Sequence, residues 1–438
     1  MIVSSINNSP KTILLSTILA FFPISYIAGS LIINLNILVF VLMSILICGR
    51  EIFNFRITNL DKLFILLFLY ICFVGLFNTL ENVYSEKSLE IDFTVLKKSF
   101  LYLRYFLFYF AIRILFEKKL IDLKLLIGVA LVASLFVSLD LIYQFINGKD
   151  IFGYEKMGRK YPGPFGDEAI AGGYLQRFSI LGIFYFLLFN NLNNKLQIFS
   201  VIFSLIIFLF SIIISGNRMP LILFMLAIIL LLVFDSNLRK YIILILLIST
   251  FTIILTIKTN PIIKMNFSNF VQQITWSYEY LKVPKEIRDE KYKLYPHYLY
   301  EFSTSYETWK MNKFIGGGIK SFRVNCTNRD KVIEKWRDWS CNIHPHNYYL
   351  EILTELGVFG FILIFIILIK ILYVSLIKNN YLATKIKFNK LITPFMLVFV
   401  SEMFLIRSSG SFFTTNNSAF IFLLLAIIVS LSKNKDLN

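Results

Sequence analysis

The hydrophobic positions of this chain come in long uninterrupted runs, near residues 12–29, 31–48, 63–79, 100–116, 125–146, 174–190, 197–215, 219–234, 240–257, 350–374, 391–407 and 418–432. A helix needs about 20 apolar residues to cross a bilayer core, so each run predicts a membrane-spanning helix, twelve in all. The expected fold class is therefore an all-α polytopic membrane protein with about 12 transmembrane helices. An outer-membrane barrel is excluded, because its segments would be about ten residues long with polar and apolar positions alternating. The pattern divides the chain into helices one to nine in 1–257, an outward polar loop domain in 258–347, and helices ten to twelve in 348–438. The first run also has features of a signal peptide, with Lys11 before it and Ala28, Gly29 and Ser30 after it. A retained span is expected instead, since removing it would invert the charge pattern of everything downstream.

Composition agrees with the runs: 57% of the residues are hydrophobic and only 16% charged, more apolar surface than a soluble fold of 438 residues can bury. The net charge of +17 would suggest nucleic acid in a soluble protein, but here much of the surplus sits in short loops. With the N-terminus cytoplasmic, the inward loops hold Arg50, Arg56 and Lys62; Lys118, Lys119 and Lys124; Lys195; Arg239 and Lys240; Lys378, Lys385, Lys387 and Lys390; and the tail holds Lys433 and Lys435. That is the positive-inside arrangement, and it predicts both termini cytoplasmic, membrane lipids as neighbours and no nucleic-acid partner. The outward segments are then 80–99, 147–173, the turn 216–218 and the long stretch 258–347, which contains Trp309, Trp336 and Trp339. No internal repeat is visible, so the paired halves of many secondary transporters find no support.

Candidate chemistry collects on the outward side. Cys326 and Cys341 lie fifteen positions apart in the loop domain, whereas Cys48 and Cys72 lie in or near spans. In an oxidising compartment the first pair can bond, which would stabilise the closed loop by about 3 kcal/mol; two free thiols are the alternative. His344 and His346 stand where the loop domain runs into the tenth span, and an imidazole with a pKa near working pH can serve as a general base. A polar helix start with Asn347 as N-cap accounts for the same residues. No ligand spacing for a metal is present; Glu90 and Asp92 form an isolated acidic pair of the kind that is usually solvated. The turn Ser215-Gly216-Asn217-Arg218-Met219-Pro220 leaves no room for a loop and puts Arg218 at the outer membrane boundary, where a guanidinium suits a phosphate or pyrophosphate. Snorkelling to the headgroups is the simpler account of the same residue. Residues 159–175 are rich in glycine and proline, as in a loop lining a cavity or a plain connection. Arg104, Arg113, Asp140, Arg177, Glu355 and Glu402 are further ionisable groups within or bordering the spans, expected to face the bundle interior or a wet cleft, some as structural pairs.

The stretch HPHNYYLEILTELGVFG after a large outer loop resembles the histidine motif of the O-antigen ligase and O-antigen polymerase family of bacterial inner-membrane proteins. SGNRMP resembles that family's arginine turn, WKMNKFIGGGIKSF its tryptophan and glycine stretch, and RKYPGPFGDEAIAGGYL its R-x-x-G-x-F loop. The resemblance implies a C-type membrane glycosyltransferase in the bacterial inner (cytoplasmic) membrane with a periplasmic active site. It would move a glycan from undecaprenyl pyrophosphate to an acceptor hydroxyl, inverting the anomeric centre, with neither metal nor cofactor. Carried over by position, His346 and Arg218 would be catalytic; Arg159, Asn347, His344 and Arg323 are expected beside them as substrate-binding residues. The chain departs from the family where many members have an arginine four residues before the tryptophan, since Ser305 stands there, and where Phe314-Ile315 replaces the usual proline. A second arginine for the pyrophosphate would come from Arg159, Arg323 or Arg288. Lipid A–core as acceptor would make the protein a ligase, a growing glycan a polymerase, and a protein serine or threonine an O-oligosaccharyltransferase. The twelve-span layout with one large late loop favours the ligase. A lipid-oligosaccharide flippase or transporter is the reading from a different class.

Overall fold

The computed structural model describes residues 9–85, 93–189, 193–234, 239–284, 296–329, 341–378 and 391–433, and these are helical apart from loops and two isolated bridges, Lys149 with Glu155 and Met157 with Lys160. The helices are α1 (Pro10–Ala20), α2 (Phe22–Ile27), α3 (Ser30–Cys48), α4 (Asn59–Ser85), α5 (Thr94–Glu117), α6 (Leu123–Asn147), α7 (Ala171–Leu188), α8 (Asn194–Ile214), α9 (Arg218–Phe234), α10 (Arg239–Thr259), α11 (Pro261–Lys282), α12 (His297–Met311), α13 (Phe322–Asn328), α14 (Tyr348–Leu372), α15 (Ile392–Glu402) and α16 (Thr415–Lys433). Each apolar run contains a helix among the described residues. Among the described residues nine helical segments are long and apolar enough to cross a membrane, and α9 and α15 contain shorter apolar ones. The chain is a polytopic helical membrane protein.

Three runs depart from single straight spans. The first is split at Phe21, with Pro23, which has no N–H to donate, near the start of α2. The eleventh stops at Glu402, well before residue 407, so the apolar Met403, Leu405 and Ile406 are not helical. The tenth is kinked inside α14, where Gly357 has φ of 64°.

That kink frees backbone groups that the tryptophan–glycine stretch then satisfies. Gly317 and Gly318 N–H donate to the Thr354 and Glu355 carbonyls at 3.1 and 2.8 Å, and Val358 and Phe359 N–H donate to the Lys313 and Phe314 carbonyls at 2.9 and 3.2 Å. Tyr70 from α4 donates to the Leu356 and Ile315 carbonyls, and Asn78 to the Gly316 carbonyl at 3.0 Å. The backbones approach so closely that a Cβ on Gly316 would meet the Gly357 nitrogen, and one on Gly357 the Phe314 carbonyl. Trp309 closes the preceding turn by donating from Nε1 to the Lys313 carbonyl at 3.0 Å.

The last helix, α16, occupies the centre, packed against α3, α5 and α15, with Phe420, Leu424, Ala426 and Ile427 fully enclosed. Leu31, Leu46, Val132 and Ile146 are exposed on the outside, as a lipid-facing surface requires. Of the ionisable residues in the spans, Arg113 pairs with buried Asp61 at 3.0 Å, and Asp61 also accepts from Tyr109 and Thr58. Arg104 folds over the Tyr105 ring at 4.5 Å. Asp140 accepts the Ile151 N–H at 2.9 Å, and Gln144 holds both the Tyr154 carbonyl and the Gly163 N–H. The segment after α6 is thereby pinned to that helix.

Candidate active site

The pinned segment carries Arg159 and Lys160 to the arginine turn. Tyr161 N–H donates to the Ser215 carbonyl at 3.3 Å, and Asn266 of α11 reaches the Arg159 carbonyl at 3.4 Å. Gly216, at φ of 73°, makes this approach feasible, since a Cβ there would lie 2.8 Å from the Arg159 oxygen. On the other side Gly172 abuts the same turn, where a Cβ would be 2.6 Å from Ser215 Oγ. The two stretches singled out in the sequence, 159–175 and 215–220, are thus one packed unit around Arg218.

Arg218 begins α9 and faces a cavity of about 1170 Å³. Its guanidinium sits over the Phe270 ring of α11 at 5.6 Å. The cavity wall also includes Arg159, Lys160, Arg177, Asn217, Trp276, His297, Glu301, His344, His346 and Arg407. Burial, reinforced by Arg159 and Arg218, pushes the Lys160 ammonium below its ordinary pKa, which is the electrostatic mark of crowded cations.

The histidine segment contributes His344 and His346 to the same cavity wall. The Cys326–Cys341 disulfide, with Cα atoms 5.6 Å apart, anchors its upstream end. Next to it Asn342 Nδ2 donates to Glu301 at 3.2 Å, and Glu301 lies 3.4 Å from His297 on the same helix. Asn347 Oδ1 caps α14 by accepting from Tyr349 and Leu350 N–H, while its Nδ2 donates to the Leu405 and Arg407 carbonyls, both at 2.9 Å. Between these anchors His346 is held at φ of 59°, a left-handed conformation that costs a side-chain-bearing residue about 1–2 kcal/mol. The His344 and His346 rings are 4.4 Å apart. Burial is the main cause lowering both imidazole pKa values, His344 to about 4; His346 and Arg323 add to it there, and His297 and Lys160 add to it at His346. Both rings are therefore neutral at pH 7 and able to accept a proton.

Of the residues expected to form the site, His346, Arg218, Arg159 and His344 line this one cavity. Asn347 and Arg323 do not; Asn347 is buried with both ends of its amide engaged. Ser305 is buried and donates to the Glu301 carbonyl at 2.8 Å, so it takes no part in the wall. Glu355 is enclosed within α14 and does not line the cavity either. Arg288, Glu90 and Asp92 fall outside the described residues. Sequence reasoning did not single out Lys160, Asn217, His297 or Arg407 as site residues, and it left Arg177 among the general buried charges. Arg407 was concealed by the apolar residues before it, which extend the eleventh run past the true end of the helix.

Among the described residues, five cationic side chains and three histidines line one cavity, a set with the chemistry to bind an anion and to accept a proton beside it. A family model described as O-antigen ligase (Wzy_C) matches residues 203–365, from α8 through the histidine segment into α14. Those residues match the domain of the family that the histidine and arginine motifs resemble, and the match supports a ligase- or polymerase-type function in general. No curated protein matches the chain.

Proposed function

We propose that the protein is a metal-independent, inverting glycosyltransferase of the O-antigen ligase type, working at the periplasmic face of the bacterial inner membrane. The observation that carries this is the convergence of Arg218, Arg159 and Lys160 with His346 on one cavity. In this reading the donor is a glycan on undecaprenyl pyrophosphate and the acceptor a hydroxyl of lipid A–core. The acceptor oxygen attacks the anomeric carbon from the face opposite the pyrophosphate and gives its proton to His346. The C1–O bond breaks, its electron pair goes to the departing diphosphate, and the cations of the turn stabilise the charge that develops there. Neutral His346 is suited to the base role because burial keeps it unprotonated.

Reconstitution with undecaprenyl-pyrophosphate oligosaccharide, with lipid A–core or with no second acceptor, tests the proposal by gel and mass of the products. Glycan on lipid A–core supports the ligase. A ladder of longer lipid-linked glycans would make the protein a polymerase, and passage of intact donor across the bilayer without transfer would make it a transporter. His346→Ala should abolish transfer in a folded protein, and full activity in that variant would remove the assignment of the base.

A further inference from the structure

Behind the cavity wall one buried carboxylate serves two lining arginines, Arg177 and Arg407. Glu402 Oε1 lies 2.5 Å from Arg177 Nη2 and 2.8 Å from Arg407 Nη1, and Oε2 accepts from Arg177 Nε at 3.0 Å. The three charges sum to +1, in a place where both guanidinium groups are almost wholly buried. A buried charge without a partner is expensive, so this surplus calls for an anion.

The two arginines are not equivalent. Arg177 spends its donors on Glu402, Tyr26, Tyr348 and Asn417. Arg407 donates from Nε to the Ser409 carbonyl at 2.6 Å and from Nη1 to Glu402, and its Nη2 makes no hydrogen bond among the described residues. Stacking over the Tyr348 ring at 4.3 Å fixes its plane. Two polar atoms of the same wall, Asn217 Nδ2 and His344 Nε2, are buried with no hydrogen-bond partner among the described residues. The loop carrying Arg407 abuts the arginine turn, with Ser408 Oγ 3.9 Å from Met219 Sδ. Unspent donors and surplus positive charge thus lie on both sides of Met219, the pattern that a ligand with two adjacent oxyanion groups would satisfy.

We infer that Arg407 is a further substrate-binding residue. Its Nη2, with Asn217 Nδ2, holds one phosphoryl group of a diphosphate whose other phosphoryl group is held by Arg218. This rests on the proposed diphosphate-linked donor and assigns a residue outside the matched segment 203–365 to the same site.

The test is calorimetric binding of inorganic pyrophosphate to the purified full chain in detergent, for the wild type, Arg218→Gln, Arg407→Gln and Arg407→Lys. Arg407→Gln should weaken binding about tenfold, as expected for loss of one charge-assisted contact. Arg407→Lys keeps the charge beside Glu402, and hence the fold, but loses the free second nitrogen; it should weaken binding about threefold. A melting curve identifies any variant that has unfolded, and the Lys variant then decides. Wild-type affinity in both Arg407 variants, with loss only in Arg218→Gln, would overturn the inference alone. Absence of binding to the wild type would overturn the diphosphate donor, and the inference with it.

Discussion

His346 combines a strained backbone with the proposed base, and the two can be separated by substitution. Holding a side-chain-bearing residue at φ of 59° costs about 1–2 kcal/mol, a cost glycine escapes. Glycine gives back about 0.5–1 kcal/mol through the larger entropy of its unfolded chain. His346→Ala retains the strain and His346→Gly loses it, so the Gly variant should be the more stable of the two by about 0.5–1 kcal/mol. Both remove the imidazole, and a missing general base costs about 10²–10⁴-fold in rate. Tryptophan-fluorescence melts and transfer to lipid A–core, run on the same preparations, read the two effects. A Gly variant less stable than the Ala variant would show that the left-handed backbone is not a strain held by Asn347 and the disulfide. Transfer within tenfold of wild type in either variant would remove His346 from the chemistry.

The depressed imidazole pKa values give a pH signature. His346 should stay competent as base below the ordinary histidine range, so the acid limb of kcat/KM should fall below about pH 6.5; a limb at or above that value would contradict the burial argument. The unfolded chain takes up a proton at His344 near pH 6.5 while the folded chain resists until about 4, so this residue subtracts stability as pH falls through that window and is neutral above it, which acid-side melts of wild type against His344→Gln will show. Reducing the Cys326–Cys341 bond should cost about 3 kcal/mol by loop entropy and lower transfer, because Asn342 and the histidine segment lose their upstream anchor; unchanged activity with reductant would show that they hold without it. Asp61→Asn should destabilise the chain by about 3–5 kcal/mol, leaving Arg113 buried without its counter-charge, and a melt like the wild type would refute the structural role of that pair.

Much of this architecture is legible in the sequence because lipid permits few solutions for an uninterrupted apolar run. Each of the runs contains a helix among the described residues for that reason. The breaks within runs are not legible by the same rule. Gly357 sits in an unbroken apolar stretch, and nothing local marks it as the kink, because the groups that satisfy the broken helix come from residues 313–318, about forty positions upstream. Likewise hydropathy runs on past Glu402, whereas the helix stops there and Arg407, in the segment that follows, lies against Glu402 and Tyr348. The cavity-lining residues that sequence singled out are those whose chemistry is odd for their depth, such as Arg218 and His346. Those it missed, Lys160 and Asn217 among them, are ordinary loop residues that gain their character only from what folds beside them.

The glycines explain why the recognisable stretches come in pairs. Gly216 allows the Arg159 carbonyl to lie against the arginine turn, so the cations of two distant segments share one rim. Gly316 and Gly357 allow residues 313–318 to thread their backbone into the break of α14, eleven residues after His346. In both places the contact is backbone to backbone, which no rotamer change relaxes, and a single methyl group on either side would force the segments apart. Gly216→Ala should therefore act on donor affinity, by moving Arg159 and Lys160 away from Arg218. Gly357→Ala should act on the whole fold, because five backbone and side-chain hydrogen bonds from 313–318 and Tyr70 converge on that one turn. A Gly216→Ala protein that melts early but keeps its pyrophosphate affinity, or a Gly357→Ala protein that melts normally, would reverse this division between a glycine that serves the ligand and one that serves the helix.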